Sequence, residues 1–191
     1  MDGLCTTPVL KSDSGQSWMR RFTEVGAVLS GILRIMHPDQ YRLGMETLEA
    51  LRRYTHVREA LMKWPILFSA ITLIANRACP MHREPKGHFQ LFDLLVSVGT
   101  YTCAPLMVQP FGVQVKNSPG SICGFSGRFC RHGVTFADGA RIAYALYMKP
   151  EMSKFGNVYP CHWMTQETYR QYVGKAVKSE QFVYKRHLYP L

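Results

Sequence analysis

The sequence predicts a mostly β fold preceded by helices, with short strands that form a barrel or a two-sheet jelly roll. Two observations support this prediction. Up to about residue 63, apolar residues recur at the three- and four-residue steps of a helix face. From Trp64 to about Met148 the chain is instead rich in β-branched and aromatic residues, and Pro and Gly interrupt it at short intervals.

The N-terminal part is predicted to be a short tail followed by helices. Residues 1–16 are small and polar, and we expect them to be disordered. The first helix is expected to end at His37-Pro38, because the residue before a proline is pushed out of the helical region. A second helix from about Asp39 and a short turn from Val57 to Lys63 complete a helical region over 17–63. The stripe that predicts the first helix consists of Trp18, Phe22, Val25, Leu29, Ile32, Leu33 and Met36.

The composition indicates one folded domain. The chain has 191 residues, of which 47% are hydrophobic and 19% are charged, as in a globule that buries a core. We expect a single domain over 17–160, with its β core at 64–148, and a basic C-terminal tail over 161–191. The start lacks the pattern of a signal peptide, and no apolar run approaches the roughly 18 residues of a membrane span. An intracellular protein is therefore expected.

The charge balance concerns the partners of the protein. Lys and Arg number 23 against 13 Asp and Glu, which gives a net charge of +10. A basic surface attracts phosphate backbones, and it would also attract an anionic cosubstrate. The alternative is a basic protein whose charge serves solubility alone.

Three side chains suggest a metal site. His82 and Glu84 are two residues apart, so on a strand their side chains share one face. With His132 they would supply two imidazoles and one carboxylate, which is the ligand set of non-haem iron(II) oxygenases. Arg141 could then hold the far carboxylate of a dicarboxylic cosubstrate such as 2-oxoglutarate. Each of these elements alone is usually structural.

A hairpin is predicted to connect two of these residues. Asp138-Gly139 is typical of a two-residue type I′ turn. If it forms the loop, His132 faces Ala145 and lies on the same face of the hairpin as Arg141. A shift of one residue in the loop would place them on opposite faces.

The sequence resembles the Tet-like 2-oxoglutarate/iron(II) dioxygenases, which are related to the TET/JBP oxygenases of nucleic-acid bases. The resemblance covers about residues 18–150 and is carried by several segments: "SWMRRF", "HPDQY", "WPILFSAITLIANR", "MHREPKG", "FDLLVSVG", "GFSGRFCRHGV" and "GARIAYALYM". It implies a double-stranded β-helix core of the jelly-roll or cupin type. It also implies iron(II) and 2-oxoglutarate as cofactors, O₂ as cosubstrate, and DNA in the nucleus as the partner.

The resemblance also implies roles for single residues. Iron would be held by His82, Glu84 and His132, and Arg141 would hold 2-oxoglutarate with a contribution from Arg77. No catalytic residue beyond these is implied. Asn76 is expected either to brace a strand or to contact the substrate.

Two departures from the family pattern stand out. The triplet of the family ends in aspartate, whereas this chain has Glu84, and no histidine lies between His132 and His162 to contact a base. For the neighbouring residues we expect structural roles. Asp93 is interpreted as a cap, and the core is expected to contain Phe89, Phe92 and Phe125.

Three functions therefore remain open. The first is an oxygenase that acts on a methylated base such as 5-methylcytosine. The second is a catalytically inactive or weakened relative that binds nucleic acid, which Glu84 favours. The third keeps the chemistry but acts on a protein side chain or a small molecule.

Overall fold

The computed structural model describes residues 7–174, except for the side chain of Pro110. The helices are α1 (Pro8–Lys11), α2 (Asp13–Arg21), α3 (Thr23–Met36), α4 (Pro38–Leu51), α5 (Thr55–Met62) and α6 (Pro150–Phe155). A 3-10 turn lies at Gln109–Phe111, and residues 166–174 are also helical. The strands are β1 (Ala70–Ala75), β2 (Cys79–His82), β3 (Asp93–Gly99), β4 (Leu106–Val108), β5 (Val113–Val115), β6 (Ile122–Phe125), β7 (His132–Val134) and β8 (Arg141–Tyr147).

The strands form two four-stranded antiparallel sheets. The major sheet has the order β1-β8-β3-β6, and the minor sheet has the order β2-β7-β4-β5. Chain neighbours such as β7 and β8 lie in different sheets, as expected when connections cross between the layers of a jelly roll. The predicted double-stranded β-helix core with N-terminal helices is confirmed.

The major sheet separates two apolar cores, because alternate residues of a strand point to opposite faces. On its outer face, Leu94, Val96 and Leu146 pack with Leu29 and Leu33 of α3. On its inner face, the half-buried Leu95 packs into a second core between the sheets, whose buried members are Tyr101, Ala104, Leu106, Val108, Cys130 and Val134. The inner face is therefore the one available for a site. Within residues 7–174, no helix combines the length and apolarity that a membrane crossing requires.

The helical region differs in detail from the prediction. The chain is helical at Pro8–Lys11 and again from Asp13, so the tail expected to be disordered to residue 16 is structured from Pro8. Ser12 caps α2, because its side chain accepts a hydrogen bond from the backbone N–H of Gly15. The predicted first helix is divided at Phe22 into α2 and α3. Residues 1–6 and 175–191, which include most of the expected basic tail, lie outside the described residues.

The predicted β7–β8 hairpin is wrong. β7 pairs with β2 and β4, whereas β8 pairs with β1 and β3. The Asp138 carboxylate accepts a hydrogen bond from the backbone N–H of Thr102 at 2.8 Å, which fixes the connection between the sheets. A Cβ at Gly139 would lie 3.0 Å from the Cα of Tyr101. The Asp-Gly pair thus reflects a carboxylate bond and a close backbone approach rather than a tight turn.

Candidate metal centre

His82, Glu84 and His132 converge on one point. His82 is the last residue of β2, and its register partner across the minor sheet is His132, the first residue of β7. Their ring centroids are 4.4 Å apart, and His82 Nε2 lies 3.1 Å from Glu84 Oε1. One potential ligand atom from each of the three residues lies within 4.8 Å of the others. The three side chains converge as expected, but Glu84 lies beyond the end of β2 and not on the same strand as His82, which corrects the expected reason for the convergence.

Backbone carbonyls set the tautomers of both histidines. The Nδ1 atom of His82 lies 2.7 Å from the carbonyl oxygen of Pro80, and that of His132 lies 2.9 Å from the carbonyl oxygen of Cys130. A carbonyl oxygen can only accept, so Nδ1 carries the hydrogen in each ring. With hydrogen on Nδ1, it is the Nε2 atom of each ring that can ligate a metal, and in His82 this atom faces Glu84 Oε1.

The three side chains differ in burial. His132 is 5% exposed, whereas the side chains of His82 and Glu84 are 40% and 49% exposed. Burial lowers the pKa of His132, and the adjacent His82 lowers it further, against the opposing effects of the Cys130 carbonyl and Glu84. A low pKa keeps the imidazole neutral, which is the form that binds metals. The centre is therefore closed on the His132 side and open to solvent on the Glu84 side.

These residues fit an iron(II) ion. Two imidazole nitrogens and one carboxylate oxygen form the donor set of non-haem iron(II) sites, and this set leaves coordination positions open. The edge of the Phe125 ring packs on His132, with the ring centroids 4.9 Å apart. The half-buried Phe125 thus shields the inner side of the centre.

Gly127 and Asp93 surround Glu84. The backbone N–H of Glu84 donates to the Gly127 carbonyl at 2.9 Å, and the N–H of Gly127 donates to Asp93 Oδ2 at 3.2 Å. A Cβ at residue 127 would collide with Asp93 Oδ2 and would lie 3.0 Å from Glu84 Cγ. The glycine is therefore required by the close approach of these two carboxylate side chains.

Asp93 belongs to the site rather than only to a strand end. It lines the same cavity as His82, Glu84 and His132. Burial, and then the nearby charge of Glu84, raises the pKa of Asp93 to about 7. Its hydrogen bond to Gly127 nevertheless agrees with the capping role expected from the sequence.

Arg141 is a buried cation on the inner face of the major sheet. Residues 141, 143 and 145 of β8 share that face, and Ala145 lines the cavity of about 580 Å³ beside the three converging side chains. Arg141 is 6% exposed and forms no ion pair with a carboxylate of residues 7–174. The predicted hairpin does not form, and it is the alternation of residues along β8 that places Arg141 on the face that bears the cavity.

Neutral hydroxyl groups hold this arginine. Its Nε donates to Ser97 Oγ at 2.8 Å, and Ser97 Oγ lies 2.7 Å from the hydroxyl of Tyr101. The Tyr101 hydroxyl is also 3.0 Å from the carbonyl oxygen of Asn117. The Tyr101 O–H is the donor in both contacts, so its single hydrogen is shared between Ser97 Oγ and the Asn117 carbonyl. The relay orients the guanidinium but does not neutralise it.

The remaining predicted site residues occupy the edge of the site. Arg77 is exposed and lines the cavity. Asn76 is a positive-φ residue whose Oδ1 accepts from the backbone N–H of Arg141 at 2.8 Å, so it braces β1 against β8. Its expected contact with substrate stays a prediction.

Several neighbours of the site were missed or misplaced by the sequence analysis. Phe89, expected in the core, is 48% exposed, which corrects that prediction, whereas Phe92 and Phe125 are half-buried. Gly127, Ser97 and Tyr101 had no assigned role. They contact Asp93, Arg141 and Asn117, which are at least 16 residues away along the chain, and only Gly127 in "GFSGRF" offered a local signal.

Comparisons with known proteins identify a family and a fold. The model of the Tet/JBP family, described as the oxygenase domain of the 2OGFeDO superfamily, matches residues 9–150. The solved structure of NgTET1 in complex with 5mC DNA is similar to this chain, with a TM-score of 0.55 and 17% sequence identity. The similarity covers 89% of this chain and 63% of that chain, and it concerns the fold. No curated protein matches the sequence.

Proposed function

Because the chain belongs to the Tet/JBP family of oxygenase domains, we propose that it is an iron(II)- and 2-oxoglutarate-dependent dioxygenase. Its proposed substrate is a methylated nucleic-acid base, namely 5-methylcytosine in DNA. Action on DNA would place the protein in the nucleus.

One observation supports the proposal: three potential metal ligands and a buried arginine, which has no carboxylate partner within residues 7–174, flank the same inner face. A buried charge is costly unless it is paired. Arg141 therefore favours an anion supplied from outside the described residues. A dicarboxylic keto acid would satisfy it with one carboxylate and would bind the metal with its other end.

Each residue has a definite part in this function. The Nε2 atoms of His82 and His132 and the carboxylate of Glu84 would hold iron(II). Arg141, oriented by Ser97, would hold the distal carboxylate of 2-oxoglutarate through its terminal nitrogens. When bound, iron(II) with 2-oxoglutarate and O₂ supplies the oxidation of a C–H bond, with succinate and CO₂ as co-products.

The proposed substrate has two supports. The family contains oxygenases of nucleic-acid bases by the resemblance described above, and the similar solved structure holds 5mC DNA. The net charge of +10 suits a polyanionic partner. A base within a duplex cannot reach a recessed centre, so it would have to be flipped out of the stack.

Glu84 favours a second candidate, a non-catalytic relative that binds nucleic acid. Glutamate is longer by one methylene than the aspartate of the family pattern. However, the Oε1 atom of Glu84 reaches 3.1 Å from His82 Nε2, and Gly127 leaves room for its side chain. These contacts support the enzyme over the non-catalytic relative.

The test is succinate release by purified protein with iron(II) and 2-oxoglutarate, with methylated and unmethylated DNA. We expect release that increases with methylated DNA and is lost in His132→Ala. His56→Ala, in α5 of the helical layer, is the matched control and should retain it. If the wild type releases no succinate with any methylated DNA, the non-catalytic relative is favoured. If it releases the same amount of succinate with and without DNA, another substrate is favoured.

A further inference from the structure

Two loops with a net positive charge flank the mouth of the site, and we refer to residues 83–89 and 126–131 together as the rim. The first loop contains Glu84, and the second leads into His132. The backbone bond between Glu84 and Gly127 joins them. With Arg77 beside the cavity, the cations are Arg77, Arg83, Lys86, Arg128 and Arg131, whereas Glu84 is the only carboxylate in the two loops.

Among the described residues, no acidic side chain neutralises Arg77 or the four rim cations. None of the five forms an ion pair with a carboxylate of residues 7–174. Arg83 instead donates to the carbonyl oxygen of Phe129 at 3.2 Å, and Arg128 donates to that of Pro85. These bonds cross-link the two loops and keep the positive charges at the surface. Lys86 is exposed and is held by neither loop-to-loop bond.

Exposed aromatic rings lie among these cations. Phe89 and Phe129 are each 48% exposed, and Trp163 is 45% exposed. The Arg128 guanidinium lies 5.0 Å from the centroid of Phe89, and Trp163 meets Phe129 edge to face with centroids 6.1 Å apart. Trp163 follows the residues that match the family model, so it is contributed by the chain beyond residue 150.

We propose that the rim binds the nucleic-acid strand on either side of the reacting base. Arg83, Lys86 and Arg128 contact its phosphates, while Phe129 and Trp163 provide faces on which neighbouring bases stack. Cations interleaved with aromatic faces are the mark of single-strand binding, since every base has a face to stack. An acidic peptide would use the charges but not the rings. The inference rests on the proposed function and names the surface that presents the base to the centre.

The test is the binding of a fluorescently labelled single-stranded DNA of about twelve nucleotides, followed by anisotropy without iron or 2-oxoglutarate. Trp163→Ala should weaken binding by about 5- to 150-fold, the usual effect of losing one stacking platform. Lys86→Gln should reduce the slope of log Kd against log salt by about 0.7, as for one lost phosphate contact.

Two variants serve as controls. Phe136→Ala removes an exposed ring that follows the C-terminal end of β7, whereas His132 is at the N-terminal end of this strand. Lys154→Gln removes a positive charge from α6, in the helical layer. Both should bind as the wild type does, and all four variants should keep the wild-type melting temperature to within a few degrees.

Wild-type binding by both Trp163→Ala and Lys86→Gln would overturn the proposal. So would equal competition by a polyglutamate peptide, which would show a surface for anions in general. The binding assay needs no turnover, so this proposal and the proposed function can fail independently. DNA can bind at the rim without succinate release, and succinate can be released without DNA binding at the rim.

Discussion

Among single residues, Glu84 determines whether this centre binds metal, because it stands where the family pattern has aspartate. The chain replaces the expected aspartate with a longer side chain, and the backbone at residue 84 is bonded to Gly127. That bond fixes where the side chain starts, so its length determines where the carboxylate ends. A glycine at residue 127 accommodates the side chain. Ligand position at this precision controls the occupancy of a metal site.

We expect Glu84→Asp to lower iron(II) affinity by about tenfold or more, because the carboxylate is withdrawn by about one C–C bond, ~1.5 Å. Anaerobic equilibrium dialysis against iron(II) would measure this. Glu84→Gln, of equal length but neutral, is the matched control and should also bind weakly. Tighter binding and new succinate release in the Asp variant would instead identify a decayed site.

Arg141 is expected to contribute affinity for 2-oxoglutarate but not for metal. Arg141→Ala should weaken 2-oxoglutarate binding by about 2–5 kcal/mol, the usual loss when one partner of a buried charge pair is removed. Tyr101→Phe removes the hydroxyl behind Ser97 and should cost about 1 kcal/mol. Titration calorimetry with the metal-loaded protein would measure both, and unchanged affinity in Arg141→Ala would remove this residue from the role.

At the scale of elements, the position of the helical layer depends on close backbone contacts of α3. A Cβ at Gly26 would collide with the carbonyl oxygen of Pro65 and would lie 2.8 Å from Ile66 Cγ2. Gly31, five residues further along the same helix, has nothing within 4 Å of such a Cβ. The two glycines therefore differ only in what surrounds them.

We expect Gly26→Ala to lower the free energy of unfolding by about 1–3 kcal/mol, since the helix must move away from Pro65. Gly31→Ala should raise it by up to about 1 kcal/mol, because alanine favours a helix and meets no neighbour. Urea unfolding of both variants would measure the difference. Equal effects at the two positions would contradict the proposed packing of α3.

The elements also show what local sequence can predict. The helical and strand regions followed from periodicity and turn signals, whereas the convergence of His82, Glu84 and His132 was expected from their donor set and from the family resemblance. The pairing of β7 did not, because the Asp138-Gly139 signal arises from contacts with Thr102 and Tyr101 some 35 residues away. Gly127, Ser97 and the exposure of Phe89 likewise depend on partners that only the tertiary structure brings together.

In the whole molecule, each sheet provides a different part of the proposed site. The major sheet is covered on its outer face by α3 and carries Arg141 on its inner face. The minor sheet provides His82 and His132, and the loops that extend from these strands form the basic rim. The three potential metal ligands and the buried Arg141 thus come from different elements of the two sheets, and the basic rim extends from the minor sheet. The proposed function depends on this arrangement.

The most direct test is a crystal structure with 2-oxoglutarate and Mn(II), which is a redox-stable substitute for iron(II). The anomalous signal of Mn(II) would locate the metal. We expect one site, about 2.0–2.3 Å from the Nε2 atoms of His82 and His132 and from the Glu84 carboxylate. The distal carboxylate of 2-oxoglutarate should contact the terminal nitrogens of Arg141. Metal bound through an Nδ1 atom, metal without Glu84, or 2-oxoglutarate away from Arg141 would contradict the account.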